Sequence, residues 1–251
     1  MATTLHIHPT AELAPRVLLP GDPGRALLLA QSLLQKPRMF NHNRGLWGYT
    51  GAAADGAPLT IQSTGMGGPS AAIVIEELVR LGAERIVRVG SCGALVDGFA
   101  LGDVLVAEAA FATDGTSRAL GAGELVAGDA GLTAALVAAA ANGAAEGDGA
   151  SGAAAEAPGA DDRAPVRQGA VLTTDLFYDP AGEHADPPPR DALAIEMETA
   201  TLFQLGALRD VATGCVLVVS DLLGPQRGRI EQEAMEAAAI AAGKIAMTAL
   251  S

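Results

Sequence analysis

The sequence contains few cysteines, few lysines and no long apolar runs, and these scarcities limit the kinds of protein that it can be. Its two cysteines, Cys92 and Cys215, form no ligand or disulfide spacing, which argues against a disulfide framework or a zinc cluster and favours a reducing cytoplasm. No apolar run reaches the roughly 18 residues of a membrane-spanning helix. The first residues lack the basic start and apolar stretch of a signal peptide, so none is predicted.

Acidic residues outnumber basic ones, 29 to 16, and the formal net charge is −13 with a pI near 4.6. This balance argues against a nucleic-acid partner, which would favour a basic face. A hydrophobic content of 49% is too high for a disordered chain, and 251 residues suit one large α/β domain. The basic residues are 14 arginines and two lysines. A GC-rich genome explains that bias, and so do arginine forks that hold phosphate oxygens.

Short apolar runs alternate along the chain with glycine-rich turns and amphipathic helices. The pattern predicts helices at 25–35, 69–82, 199–210 and 230–250. It predicts strands at 16–20, 59–63, 85–89, 103–111, 170–177, 192–198 and 213–221. Alternation of this kind is typical of a single α/β domain, spanning residues 1–251, with a mixed, mainly parallel sheet flanked by helices.

Residues 143–165 do not fit this pattern. They contain five acids, one arginine and no Val, Leu, Ile or aromatic residue, so they have little apolar surface to bury. We interpret them as a flexible Ala/Gly-rich surface loop. A tolerated insertion is favoured there over a functional lid.

Glycine turns follow three of the predicted strands, at 21–24, 65–68 and 90–93. In open α/β sheets, ligands bind beyond the carboxyl ends of the strands, and glycine lets backbone amides approach an anion closely. Arg25 follows the first turn, Arg88 precedes the third, and Arg44 stands in a further short turn. The pattern favours an oxyanion site, with phosphate as the anion; the alternative is that the turns only connect strands and helices.

Other chemistries match the residues less well. The dinucleotide fingerprint fails because Ser70 takes the place of the third glycine and the next strand ends in Gly90 rather than in an acid. No P-loop or nucleophile elbow is present, and Cys92 has no obvious histidine partner in the sequence. Glu196 and Glu198 end one predicted strand, where they share a face because strand side chains alternate with period two. Asp221 ends another predicted strand, where an acid is either a helix cap or a site residue. Beside a phosphate site, the catalytic interpretation is the better one.

Taken together, these motifs resemble the nucleoside phosphorylases of the bacterial hexameric type. The resemblance runs in order from about Leu5 to the closing helix, outside 143–165, and its motifs stand at 17–25, 43–45, 65–70, 88–94, 196–198 and 219–221. Each motif is weak alone and the set is highly specific. It implies reversible phosphorolysis of a purine nucleoside to a free base and pentose 1-phosphate, with inorganic phosphate as co-substrate and no cofactor or metal.

The resemblance also implies roles for individual residues. Asp221 would be the catalytic general acid that protonates the leaving purine, for which it needs a raised pKa. The phosphate ligands would be Gly21, Arg25, Arg44, Arg88 and Ser91. The ribose would be held by His6, Met66, Met197 and Glu198. The base would be held by Cys92, Gly93, Phe177, Ile195, Glu196 and Ser220.

Some of these residues depend on a second subunit. The resemblance implies a homohexamer built as a trimer of dimers, in which His6 and Arg44 are donated to the neighbouring site. His6 would reach the 5′-hydroxyl of the sugar, and His8 is the less favoured occupant. The alternative for His6 is a frayed, solvated terminus.

The sequence departs from the family at one point and leaves alternatives open. The family's arginine that assists the acid lies in the last helix, where this chain has Ala234 and Met235, while Arg227 and Arg229 stand just before it. Uridine phosphorylases place Gln-x-Arg after the Phe-Tyr pair, and residues 179–184 have neither. Methylthioadenosine phosphorylases differ in how they receive the 5′ group. Nucleosidases need no arginine cage, and a non-catalytic nucleoside-binding protein is the alternative outside enzymes.

Overall fold

The computed structural model of the protein describes residues 4–146, 166–178, 191–223 and 227–251. The strands are β1 (Arg16–Leu19), β2 (Gln35–Asn41), β3 (Gly48–Ala52), β4 (Pro58–Gln62), β5 (Arg85–Ala94), β6 (Val104–Ala112), β7 (Leu125–Ala127), β8 (Arg167–Thr173), β9 (Ala192–Glu196), β10 (Ala212–Leu222) and β11 (Gly228–Arg229). The helices are α1 (Pro23–Leu33), α2 (Gly68–Leu81), α3 (Gly115–Ala119), α4 (Ala130–Glu146), α5 (Thr199–Arg209) and α6 (Gln232–Ala249).

All of these strands belong to one mixed sheet. Parallel pairings join β4, β1, β5 and β10 in its centre, and also β6, β8 and β9. Antiparallel pairings add β3 and β2 at one end, β11 at the other, β7 beside β6, and the contacts of β10 with β6 and of β5 with β9. Because β10 pairs with both β5 and β6, the order β10-β6-β8-β9-β5 closes into a ring.

Helices cover both faces of the sheet and bury its central strands completely. Helices α2, α3 and α5 contact one another on one side, and α1, α4 and α6 on the other. The strands alternate between these two layers with period two. In β10, Cys215, Leu217 and Val219 belong to one apolar cluster, and Val216 and Val218 to the other. A strand buried on both faces is therefore one continuous apolar run in the sequence.

The predicted α/β class is confirmed, with strands and helices close to the predicted positions. One local prediction is wrong: the chain does not turn at 90–94, because β5 continues to Ala94 alongside β10. The predicted strand at 170–177 also ends earlier, at Thr173. Strands β2, β3, β7 and β11 and helices α3 and α4 were not predicted. The sequences of β2 and β3, QKPRMFN and GYTGA, contain no apolar run or clear alternation.

The segment predicted as a loop at 143–165 begins inside a helix. Residues 143–146 are the last turn of α4, an alanine-rich helix that continues past Asn142 and Gly143. The remainder, 147–165, lies outside the described residues, and the loop interpretation stays a prediction there. In the parts of the chain that the structure describes, no helix combines the length and apolarity needed to cross a bilayer.

Candidate functional site

Two of the three predicted glycine turns lie side by side at the ends of β1 and β4. The amide of Gly65 donates to the carbonyl of Gly21 at 3.0 Å, and the amide of Thr64 donates to Pro20 at 2.9 Å. A Cβ atom on Gly21 would lie 3.2 Å from the carbonyl oxygen of Gly65, and Gly67 has a φ of +84°. Only glycine allows both the close approach and the left-handed backbone. The two turns therefore form one continuous backbone surface.

Arg25 lies at this surface, in the first turn of α1. Asp22 caps the helix by accepting a hydrogen bond from the amide of Arg25 at 2.7 Å. Burial lowers the pKa of the Arg25 guanidinium, and the nearby positive charge of Arg88 lowers it further. Asp22 and Glu198 oppose that shift. Two arginines thus share one partly desolvated environment, which an anion would stabilise.

Arg88 lies in the continuous strand β5 and not before a turn. It is only 5% exposed, and a Cβ atom on Gly90 would lie 2.7 Å from its guanidinium carbon. The glycine predicted to turn the chain instead leaves room for the Arg88 side chain over its own strand. Ser91 and Cys92 follow in the same strand, paired with Val218 and Val219 of β10.

Two carboxylates converge on Arg88. Its Nη2 lies 2.5 Å from Oε2 of Glu198, and its Nε donates to Oε2 of Glu196 at 3.2 Å. Burial lowers the pKa of Arg88, but the charges of Glu198 and Glu196 outweigh it, so the net pKa is raised. Burial raises the pKa of Glu198, and the charge of Arg88 opposes that rise. The acids meet at this point because β9 ends at Glu196 and Glu198 is the N-cap residue of α5, not because a strand alternates.

Glu196 is saturated with hydrogen bonds from the surrounding framework. Besides Arg88, its carboxylate accepts from the hydroxyl of Thr173 at 2.6 Å and from the amides of Glu198 and Thr199 at 2.9 Å. These contacts join β8, β5 and the start of α5. They hold Arg88 in place, and base contact by Glu196 stays a prediction.

Glu198 connects this cluster to the turn at 65–68. Its Oε1 accepts a hydrogen bond of 2.5 Å from the amide of Gly67. The methyl group of Met197 lies 3.9 Å from the position of a Cβ on Gly67, and Met66 in the same turn is exposed. The structure thus brings three of the predicted ribose ligands, Met66, Met197 and Glu198, together around one turn.

A β-bulge shapes the part of the site predicted to hold the base. Val219 pairs with Cys92 and Asp221 with Gly93, so Ser220 is the extra residue of β10. The Ser220 hydroxyl lies 2.8 Å from Oδ2 of Asp221 and 3.2 Å from the carbonyl oxygen of Cys92. Bulges redirect side chains at strand ends, and this one separates the apolar run of β10 from its acid.

Asp221 has an arginine opposite it. Residues Asp221 and Arg229 pair across the antiparallel strands β10 and β11, and Arg229 Nε lies 3.8 Å from Asp221 Oδ1. Gly93 and Ile195 border the same region: a Cβ on Gly93 would lie 3.4 Å from Ile195 and 2.9 Å from Leu223. Leu223, which lies beside Gly93, was not among the base-binding residues predicted from the sequence.

Phe177 lies beyond the end of β8, which runs beside β9. Its ring is 55% exposed and meets Tyr178 edge-on, with 4.9 Å between the ring centroids. Two hydrogen bonds anchor the loop that carries Phe177. The amide of Thr174 donates to the carbonyl of Glu196, and the amide of Gly115 donates to the Asp175 carboxylate. The residues that distinguish uridine phosphorylases by resemblance, 179–184, lie outside the described residues.

His6 and Arg44, the two residues predicted to serve a neighbouring subunit, are connected through Asn43. The side chain of Asn43 donates to the carbonyl of His6 at 2.9 Å, and Arg44 follows Asn43 in a 3₁₀ turn with a φ of +57°. Such a backbone is costly for a residue with a side chain, and it is typical of functional positions. His6 is held by Glu77, so the frayed-terminus alternative does not hold.

The buried thiols are not placed to act as nucleophiles. Burial raises the pKa of Cys92 well above its usual range and that of Cys215 to about 12, so neither is a thiolate at neutral pH. Across the described ranges, no group of three or more His, Cys, Asp or Glu side chains has a metal-binding arrangement.

Comparison with known proteins connects this geometry to one family. The Phosphorylase superfamily profile matches residues 15–251. Guanosine phosphorylase from Halorubrum lacusprofundi is 36% identical over 215 residues, covering 84% of this chain and 80% of that protein. A DeoD-type purine nucleoside phosphorylase from Jannaschia sp. is 36% identical over 227 residues, covering 88% of both chains.

Uridine phosphorylases are similar as well. The one from Treponema pallidum is 35% identical over 224 residues, covering 83% of this chain and 78% of that protein. The crystal structure of uridine phosphorylase from Vibrio fischeri, in complex with 6-hydroxy-1-naphthoic acid, superposes with a TM-score of 0.72 and 26% identity, covering 95% of this chain and 90% of that chain. This chain belongs to the phosphorylase superfamily, among its nucleoside phosphorylases.

Proposed function

We propose that this protein catalyses the reversible phosphorolysis of purine ribo- and deoxyribonucleosides, giving a free purine and ribose or deoxyribose 1-phosphate, for purine salvage. The observation that carries the proposal is the paired placement of Arg25 and Arg88 at the glycine turns, next to the Glu198 carboxylate. This arrangement offers cationic donors for phosphate and an acceptor for sugar hydroxyls within one surface.

Phosphate is the nucleophile, and its charge must be neutralised and its oxygen aimed at the anomeric carbon. Gly21, Arg25, Arg88 and Ser91 supply donors from one subunit, and Arg44 comes from its neighbour. Burial lowers the pKa of Arg25 in the free protein and the charge of Arg88 lowers it further, and bound phosphate relieves that repulsion. A bound anion therefore stabilises this pair of arginines more than water does.

The sugar is held over the phosphate. Glu198 accepts from the ribose hydroxyls, while Met66 and Met197 form the apolar surface at the 65–68 turn. As the bond between sugar and base breaks, positive charge develops on the sugar. The phosphate below it and the carboxylate beside it stabilise that charge.

The purine leaves as a neutral base. A phosphate oxygen forms a bond to the anomeric carbon, the carbon–nitrogen bond breaks, and the Asp221 carboxyl delivers its proton to the imidazole side of the ring. Arg229 and Ser220 orient that carboxyl. The base is bordered by Cys92, Gly93, Ile195 and Glu196, and stacks on Phe177.

The relatives carry purine, guanosine and uridine phosphorylase names, so the choice of base is part of the proposal. The support for a purine is Asp221, because the imidazole ring of a purine has a nitrogen that can accept a proton and uracil has no such ring. Methylthioadenosine and uridine phosphorolysis are the alternatives of the same fold. A non-catalytic nucleoside-binding protein is the alternative of another class.

The proposal includes a cytoplasmic homohexamer, a trimer of dimers, with His6 and Arg44 completing the neighbouring site. Its support is that Asn43, next to Arg44, hydrogen-bonds to the carbonyl of His6, and that Arg44 is exposed and has a positive φ angle.

The deciding experiment measures release of free base from inosine, adenosine, guanosine, uridine and methylthioadenosine, each with and without phosphate. Phosphate-dependent release from purine nucleosides is the expected result. Equal release without phosphate contradicts a phosphorylase, and release from uridine alone contradicts purine specificity. Arg25→Met removes a proposed phosphate ligand and raises the KM for phosphate. Arg80→Met, on the exposed side of α2, is the matched control and leaves that KM unchanged.

A further inference from the structure

Glu77 is a buried acid to which the mechanism above gives no role. It lies on the inward face of α2 and is 5% exposed. Its carboxylate accepts hydrogen bonds from three consecutive amides of the N-terminal segment: Leu5 at 3.0 Å, His6 at 3.0 Å and Ile7 at 2.7 Å. A fourth contact, of 2.8 Å, joins it to Nδ1 of His6.

These contacts fix the ionisation of the carboxyl. Burial alone would raise the pKa of Glu77, but the hydrogen bonds from the segment lower it to about 2. An ionised carboxylate only accepts hydrogen bonds. The proton of the Nδ1–Glu77 contact therefore belongs to the imidazole, and Nε2 is the ring nitrogen that remains for a ligand.

The same segment is held from its other side. Asn43 donates to the carbonyl of His6 at 2.9 Å, and Asn41 accepts from the amide of His8 at 2.9 Å. Both backbone groups of His6 and one ring nitrogen thus have fixed partners, while its side chain stays about one-quarter exposed. Three of the Glu77 contacts go to backbone amides and anchor the segment. The fourth contact fixes the ring and leaves one nitrogen for a ligand.

We infer that Glu77 is a positioning residue that sets the tautomer and direction of His6, and so selects nucleosides with a 5′-hydroxyl over those with a 5′-thioether. The inference rests on the proposed function and on delivery of His6 to a neighbouring site. An unprotonated Nε2 accepts a hydrogen bond from a hydroxyl. A methylthio group has no proton to donate, so it leaves this acceptor unpaired, which is unfavourable in a desolvated site.

The first test does not involve activity. Nitrogen NMR of intact protein labelled at histidine, with the His6 signals assigned through His6→Asn, reports which ring nitrogen is protonated. We expect Nδ1 protonated and Nε2 unprotonated at neutral pH, and a mixture of tautomers in Glu77→Gln. A protonated Nε2 in the unmodified protein, with or without a proton on Nδ1, overturns the inference.

The second test compares kcat/KM for inosine and 5′-deoxyinosine, which differ only in the 5′-hydroxyl. Glu77→Gln is expected to reduce the preference for inosine roughly five- to tenfold, the worth of one hydrogen bond, and to leave 5′-deoxyinosine within about twofold. His6→Asn is expected to do the same, and the double variant no more, because the two residues act as a unit. Preference for inosine over the 5′-methylthio analogue should fall in parallel.

Glu76→Gln is the matched control. Glu76 precedes Glu77 on α2, but it is bound by Arg209 at 2.6 and 3.0 Å, away from His6. Its substitution should leave the preference unchanged. Equal losses for both substrates in Glu77→Gln would show a purely structural role and overturn the inference. Absence of phosphorolysis in the unmodified protein would overturn the proposed function, and with it the 5′ selection, whereas the NMR result would still decide the tautomer.

Discussion

Arg229 Nε lies 3.8 Å from Oδ1 of Asp221, because the two residues face each other across β10 and β11. The family resemblance places the arginine that assists the acid in the last helix, where this chain has Ala234. The antiparallel pair supplies a guanidinium to the same acid from another direction. Arg229 is 75% exposed, so this ion pair adds no more than about 1 kcal/mol to stability, and its effect is on the orientation of the carboxyl.

Replacing Arg229 with methionine should therefore reduce purine turnover about three- to tenfold with little change in stability. Arg227→Met is the control, because Arg227 is two residues away and, in the part of the chain that the structure describes, makes no ion pair with Asp221. Steady-state kinetics with inosine and urea unfolding of both variants make the comparison. Equal kinetics in the two variants would remove Arg229 from the reaction.

Asp221→Asn removes the proton donor while it keeps the size of the side chain. Turnover of inosine should fall by roughly 10²- to 10⁴-fold, the usual contribution of a general acid. Nucleosides methylated on the imidazole nitrogen already carry the positive charge that protonation would create, so their turnover should fall much less. Asp97→Asn, at an exposed position, is the control. A similar fall for both kinds of nucleoside would argue against proton transfer by Asp221.

The two acids bound to Arg88 should respond differently to neutralisation. Glu196→Gln disturbs contacts with Thr173, Glu198 and Thr199, so it should lower the free energy of unfolding by about 2 to 4 kcal/mol. Glu198→Gln loses fewer contacts but removes the proposed sugar ligand. It should lower stability less and raise the KM for nucleoside more. Urea unfolding and nucleoside kinetics on both variants test this, and the reverse order would contradict the assigned roles.

The hydrogen bonds to the Glu77 carboxylate predict how the stability of the protein depends on pH. Its pKa falls from an ordinary 4.5 to about 2 on folding. Its contribution to stability is therefore fully present above pH 4.5 and is lost as the pH falls towards 2. The difference in unfolding free energy between the unmodified protein and Glu77→Gln should be largest near pH 7 and smaller at pH 3.5. A difference that stays constant over this range would show that the carboxylate charge is not involved.

Sharing of sites between subunits can be tested by complementation. Arg44→Met and Asp221→Asn should each be nearly inactive alone. Co-expressed, they should form mixed assemblies in which some sites receive an intact Arg44 from one subunit and an intact Asp221 from the other, so activity should partly return. Light scattering gives the accompanying size, expected to be that of six chains. A fully active monomer, or no recovery in proven mixed assemblies, would contradict the shared site.

Much of the architecture could be predicted because it depends on local patterns. The run of apolar residues in β10 indicates a strand buried on both faces, and Gly65 and Gly67 with positive φ angles mark a turn that their sequence predicts. The same local reasoning failed at 90–94. There the glycines make room for Arg88 and Leu223, and that need arises from neighbours that are not adjacent in the chain.

The site likewise combines features that local sequence predicts with contacts between residues distant in the chain. Its glycines, arginines and acids are visible in the sequence as residue types at strand ends, and their order along the chain carries the family resemblance. Glu77 was not found, because it contacts a segment about 70 residues away and stands between apolar positions of an ordinary helix. A carboxylate inside such a helix is the one local signal that could have drawn attention to it.

From the sequence alone follow the α/β class, the positions of most strands and helices, and the chemical types gathered at the sheet edge, because apolar periodicity and glycine placement act over a few residues. Tertiary contacts settle which acids surround Arg88, which arginine faces Asp221, and how His6 is held. Those relationships join residues far apart in the chain, by 108 positions for Arg88 and Glu196 and by 71 for His6 and Glu77, and those in the sheet depend on strand register and on a β-bulge. A one-residue shift in strand register would turn Arg88, Glu196 and Asp221 to the other face of the sheet.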